Sequence, residues 1–149
     1  MAIPRTGRVL AVDWGEVRIG LALSDETQTI ASPLATLTRR LGKRFPMPAF
    51  LRLISEHRPV GLVVGLPLTP DGNEGPAAAS ARELSVRLGA RTYLPVSLVD
   101  ERMTTARAHA AIAEQGGSAR GRKEDVDALA AAILLQHFLE TRRNARTDA

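Results

Sequence analysis

Apolar runs and polar breaks divide the chain into a regular succession of elements. Arg8 to Asp13 and Arg18 to Leu23 are short apolar runs joined by a turn containing Gly15, a pattern that predicts a β-hairpin. Pro33 to Leu37 offers a third strand. Pro46 and Pro48 then open an amphipathic helix with Phe50, Leu51 and Ile54 on one face, closed before Pro59. Val60 to Leu66, VGLVVGL, lacks any polar position and reads as a strand buried on both faces of a parallel sheet. After Pro67 and the polar loop TPDGNEG, the spacing predicts a helix over Pro76 to Leu88 and a strand over Tyr93 to Val99. Two more helices follow, over Thr104 to Gln115, capped by Thr104, and over Glu124 to Thr141. In the last one, Val126, Leu129, Ala130, Ile133, Leu134 and Phe138 form the expected buried stripe.

This order describes an α/β fold: a five-stranded mixed sheet, made of a three-stranded antiparallel meander plus two parallel strands, flanked by helices on both faces. No repeat or low-complexity linker interrupts it, so residues 1–149 are expected to form a single domain. In open α/β sheets the functional crevice lies outside the carboxyl ends of the strands. Asp13 ends the first strand, Gly65 lies near the end of the fourth, and Asp100-Glu101-Arg102 ends the fifth, so these segments are expected to open onto one edge. Asp127 sits in the first turns of the last helix with Ala130, Ala131 and Leu134 on its side, and so points toward the sheet edge.

Each acid has an ordinary structural reading beside a functional one. Asp13 suits a turn before Gly15, Asp100 and Glu101 suit a helix dipole or a pair with Arg102, and Glu124 and Asp125 suit first-turn capping. Convergence of Asp13, Glu101 and Asp127 from three distant parts of the chain changes the picture. Three carboxylates in one cleft repel one another, which implies divalent cations. With no cysteine in the chain, hard oxygen ligands point to Mg²⁺ or Mn²⁺. A pair of such ions about 4 Å apart activates a water and stabilises the leaving oxygen of a phosphodiester, the chemistry of nucleic-acid hydrolysis.

Charge agrees with a phosphate-bearing partner. The net charge is +4, and eighteen of the twenty basic residues are arginine, the residue suited to bidentate phosphate contacts, although GC-rich codon usage also yields arginine. Arg18, Arg102, Arg120, Arg122 and Lys123 lie nearest the acids and are expected to bind backbone phosphates without reading sequence. Arg142, Arg143 and Arg146 read as a frayed, solvated tail. Trp14 reads as a packing residue, and His57, His109 and His137 show no ligand spacing. The low aromatic content, 3%, argues against a binder built on serial base stacking. No apolar run approaches the roughly 20 residues of a membrane span and no leader-like segment is evident, so a cytoplasmic location without membrane attachment is expected.

The motifs AVDWGEVRIGLALSD, VVGLPLTPDGNEGP, VDERMTTARA, EQGG and KEDVDALAAAILLQHFL occur in this order over nearly the whole chain. Together they resemble the YqgF family, also called RuvX, whose members are named as nucleases of precursor 16S ribosomal RNA or as Holliday junction resolvases. The resemblance implies an RNase H-like fold, with Asp13, Glu101 and Asp127 matching the family acids of the first strand, the Asp-Glu-Arg motif and the last helix. Trp14 stands where the family often has Phe or Tyr, and the segment RRLGKRFPMP is not among the motifs that carry the resemblance. The reading that results is a metal-dependent nuclease processing precursor 16S ribosomal RNA. A resolvase or other nuclease acting on branched or single-stranded DNA, and a non-catalytic ribosome-maturation or junction-binding factor, are the alternatives. A symmetric resolvase requires a homodimer, whereas a trimming enzyme works as a monomer. Asp13 to Gly20 also looks like the first phosphate loop of the actin-like ATPases, but those need two such halves and this chain has room for one.

Overall fold

The computed structural model describes residues 2–15, 17–39, 44–103 and 123–148, with the backbone alone for 103, 123–125 and 146–148. The expected hairpin forms from β1 (Val9–Trp14) and β2 (Arg18–Ser24), paired antiparallel with Asp13 opposite Gly20. β3 (Ala31–Thr38) completes the meander. Its register shifts between Leu21 and Ala22, where Pro33 lies opposite Ala22. A proline lacking an N–H is tolerated there because β3 is an edge strand. α1 (Met47–His57) carries a proline in its first turn and stops at Arg58, which adopts the left-handed conformation and donates its N–H to the Ile54 carbonyl.

β4 (Gly61–Leu66) runs parallel to β1, and all six of its residues are buried, as its unbroken apolar run requires. α2 (Pro76–Thr92) extends beyond Leu88, and β5 (Val96–Asp100) starts later than expected. Tyr93 is therefore no strand residue. It takes a left-handed conformation as the C-cap of α2, its N–H donating to Gly89, with its ring 86% exposed. A 3₁₀ turn (Glu101–Met103) follows β5, and α3 (Lys123–Asp148) is the last helix. The strand order is β3-β2-β1-β4-β5, antiparallel through the meander and parallel from β1 to β5.

Strand alternation gives the sheet two apolar faces. Leu10, Val12, Ile19, Leu21, Leu62 and Val64 pack against Phe50 of α1 and against Ala78, Ala81, Leu84 and Leu88 of α2. Val9, Ala11, Ala22 and Val63 pack against Ala131, Ala132, Leu135 and Leu139 of α3. The buried face of α3 only partly follows the expected stripe: Ala130 and Leu134 are buried, Val126, Leu129, Ile133 and Phe138 are only half-buried, and Ala131 and Ala132 meet the sheet beside Leu135 and Leu139. In an alanine-rich helix the large side chains alone mislead, because alanines allow the closest approach and mark the tightest contact.

The basic tail also differs from expectation. α3 stays helical through Asp148, and Arg142 is tied down, donating to the Ile3 carbonyl at 2.8 Å and to Gln28 at 3.3 Å while its guanidinium lies 5.2 Å from the Phe138 ring. Burial, and secondarily the charge of Arg5, pushes its pKa below the usual arginine range. Among the described residues no helix is long and apolar enough to cross a membrane. The expected helix over Thr104 to Gln115, together with Arg120 and Arg122, lies outside the described residues.

Candidate active site

The alternation that points Val9 and Ala11 toward α3 also points Asp13 there. Gly20 and Arg18 share that face of β2 with Ala22, and Gly65 shares that face of β4 with Val63. Asp13, at 8% exposure, ends the buried run of β1. Asp127, at 2% exposure, faces the sheet from the first turns of α3, as its companions Ala130, Ala131 and Leu134 predict. Glu101 opens the 3₁₀ turn directly after β5. The three acids line one cavity of about 290 Å³ together with Trp14, Gly15, Val17 and Arg18.

Two glycines make this arrangement possible. A Cβ on Gly20 would run into the backbone carbonyl of Asp127, so α3 reaches the sheet at that point only because β2 has no side chain there. A Cβ on Gly65 would collide with the Glu101 carboxylate, whose Cγ and Cδ would each lie 3.0 Å away, so Glu101 lies flat across β4. Neither glycine was singled out for this role from sequence. The signal available was a glycine inside an otherwise aliphatic strand, at a position in phase with the face that carries the acids.

Arg18, expected to touch phosphate, instead donates through Nε to Asp127 Oδ2 at 2.7 Å. The side chains are 28% and 4% exposed, so this is a largely desolvated pair that fixes the carboxylate. Arg102 folds back on Asp100, with Nη2 donating to Oδ2 at 2.8 Å and its backbone N–H to Oδ1 at 2.9 Å, and it reaches the Pro70 carbonyl at 3.3 Å. Hydrogen bonding from Arg102 holds the Asp100 carboxyl below the usual carboxylate range. The Asp-Glu-Arg triplet therefore divides its work: Asp100 and Arg102 clamp the loop after β4, and Glu101 faces the cavity. Trp14 packs against Phe45 with ring centroids 5.6 Å apart, as a packing residue should. Lys123 begins α3, but its side chain, like those of Glu124 and Asp125, is outside the described set.

The donor set fits a hard divalent cation, since three carboxylates face the cavity and the chain has no cysteine. Among the described residues, no group of three or more His, Cys, Asp or Glu is drawn together tightly enough to hold an ion. The acids converge on a shared cavity rather than on a point.

A family model described as "RuvX: Holliday junction resolvase" matches residues 7–141. The chain belongs to the RuvX family. Among its relatives, a protein of Paracoccus denitrificans (strain Pd 1222) is 41% identical over 142 residues, covering 95% of this chain and 89% of the relative. A protein of Anaeromyxobacter dehalogenans (strain 2CP-C) is 42% identical over 135 residues, covering 91% and 98%. Both carry the name "Putative pre-16S rRNA nuclease". Of solved structures, Thermus thermophilus RuvC in complex with Holliday junction substrate superposes with a TM-score of 0.56 at 18% identity, over 93% of this chain and 96% of that one. The yeast mitochondrial Holliday junction resolvase Ydc2 gives 0.53 at 12% identity, over 99% and 86%. The RuvX chain thus has the RNase H-like fold expected from its motifs, and at these identities the structural likeness speaks for the fold alone.

Proposed function

We propose that this RuvX protein is a divalent-metal-dependent nuclease that hydrolyses phosphodiester bonds in precursor 16S ribosomal RNA, with Asp13, Glu101 and Asp127 as its catalytic carboxylates. The observation that carries this reading is their convergence on one cavity from β1, the end of β5 and α3 of an RNase H-like sheet. A pure binding factor gains nothing from anions facing phosphates. The relatives' shared name supports the RNA substrate. The family description supports branched DNA as the second reading.

The three carboxylates would hold Mg²⁺ or Mn²⁺ through their oxygens. Such a cation, when bound, supplies the charge that activates a water and stabilises the leaving oxygen. Arg18 fixes the orientation of Asp127, and Gly65 leaves room for Glu101 over β4. Arg120, Arg122 and Lys123, which precede the acid-bearing helix in sequence or open it, remain the proposed phosphate contacts, acting without sequence preference.

The test is a cleavage assay with Mg²⁺ or Mn²⁺ in which precursor 16S ribosomal RNA, linear single strands and a four-way junction are offered side by side to the wild type and to Asp13→Asn. The substitution keeps size and turn-forming ability but removes the charge a cation needs, so cleavage of the RNA should fall by a factor of about 10² or more with folding intact. Metal-free binding should hold level or tighten, since a negative charge facing phosphates is gone. Preferential cutting of the junction would establish the second reading. Full activity in Asp13→Asn would refute the carboxylate chemistry and leave a binding factor.

A further inference from the structure

We propose that the groove beside the acid cavity holds one unpaired base of the substrate, so that the protein acts where a nucleotide next to the scissile phosphate is free of a duplex. This rests on the nuclease reading of the acid cavity and narrows it to a substrate class. The groove, about 460 Å³, is lined by Trp14, Gly15, Arg39, Pro67, Pro76, Ala77 and Ser80. It shares Trp14 and Gly15 with the cavity that holds Asp13, Glu101 and Asp127. Strand alternation explains the juxtaposition: Asp13 and Trp14 are consecutive at the end of β1, so the carboxylate goes to the α3 face and the indole to the α1 and α2 face. A nucleic-acid strand crossing the end of β1 meets a phosphate-hydrolysing site on one side and an aromatic groove on the other.

The lining selects a base rather than a phosphate. Two prolines, an alanine and an indole form apolar walls, and Ser80 adds one hydroxyl. The one guanidinium among the described lining residues is held flat: Arg39 lies 3.8 Å over the centroid of the Trp14 ring and donates through Nη1 to the Gly15 carbonyl at 2.9 Å. The indole is itself braced by Phe45, which packs edge-on against Phe50 of α1. The groove therefore contains a rigid stack of two planar groups, a platform of the type on which unpaired bases lie. A base locked in a duplex cannot enter. With a single tryptophan and few other aromatic residues in the chain, the platform serves one base, not a run of them.

The test uses fluorescein-labelled probes in EDTA, so that no cleavage is needed: a short single-stranded RNA, the same length built of abasic ribose spacers, and a blunt two-stranded RNA duplex without a loop. Anisotropy should show the base-bearing strand bound about tenfold tighter than the abasic strand or the duplex. Emission of Trp14, the sole tryptophan, should change with the base-bearing strand alone. Arg39→Lys keeps the charge but loses the plane, and Ala77→Leu fills the groove from an exposed helix position. Each should erase the preference while leaving affinity for the abasic strand unchanged. Equal binding of base-bearing and abasic strands, equal binding of the blunt duplex, or a preference that survives both substitutions would overturn the proposal. Asp13→Asn should leave the base preference intact, so a failure of the nuclease reading shows in cleavage and a failure of the groove shows in binding.

Discussion

Gly65→Ala separates stability from activity at a single atom. Gly65 is buried in β4 and has no positive φ, so alanine fits the strand backbone, and removing a glycine from the unfolded ensemble contributes about 0.4–1 kcal/mol in favour of folding. The added methyl meets the Glu101 carboxylate, with Cγ and Cδ of the same side chain at 3.0 Å. Ordinary carbon–oxygen contact begins near 3.4 Å, so the end of Glu101 must move by about 1 Å or swing off β4. It is the far end of a flexible side chain and can do so without unfolding anything. Displacing a group by about 1 Å from a reacting centre costs on the order of 10²-fold in rate. Gly65→Ala should therefore cleave about 100-fold more slowly while melting within about 3 °C of the wild type, in either direction. The assay pairs single-turnover cleavage of precursor RNA with thermal unfolding. Wild-type activity would show that Glu101 does not need its place over β4, and a large drop in melting temperature would show that the collision strains the sheet and not the side chain.

Three further outcomes test the same framework. Gly20→Ala meets backbone instead of a side-chain end, so α3 must lift from β2, and both cleavage and stability should fall, the latter by about 1–3 kcal/mol in chemical denaturation. Arg18→Ala leaves the Asp127 carboxylate without its guanidinium, which should lower stability by about 1–3 kcal/mol and reduce cleavage while leaving the salt dependence of nucleic-acid binding unchanged; a flatter slope would make Arg18 a phosphate contact after all. Asp25 accepts from the N–H groups of Ile30 and Thr29, which hold its carboxyl below the usual range. Its folded pKa is thus lower than its unfolded one, and the stability it adds is present above the unfolded pKa and lost as pH falls through the folded one. Asp25→Ala should melt a few degrees lower at neutral pH, and the gap should close in acid.

How much of this was legible in the sequence follows from what sets each feature. VGLVVGL reads as a strand covered on both faces and is one, so this part of the fold was readable from pattern, and the placement of Asp13 and Glu101 at strand ends that open onto one cavity was readable from position. The face of α3 was not, because Ala128, Ala131 and Ala132 carry almost no periodic signal although they make the contact. Tyr93 misled for the opposite reason: an aromatic residue next to an apolar run suggests a strand, but the α2 helix extends past Leu88 and uses it as a left-handed cap. The partner of Arg18 was out of reach altogether, since Asp127 lies 109 positions along the chain and only the packing of α3 on β2 joins them.

That pairing alters the electrostatic case for a cation. Repulsion among three carboxylates implies compensating charge, but Arg18 already compensates one of them from within the fold. Repulsion then calls for a divalent ion less strongly than the donor set of the shared cavity of about 290 Å³ does. The pairing also explains the first motif as a unit. Asp13 supplies an acid, Gly20 directly opposite it admits the backbone of Asp127, and Arg18 on the same face of β2 holds the Asp127 side chain. Residues 18 and 20 thus set the position of an acid from the far end of the chain, in the cavity that Asp13 also lines, so a hairpin that looks like scaffolding carries a carboxylate, a guanidinium and a bare glycine in register.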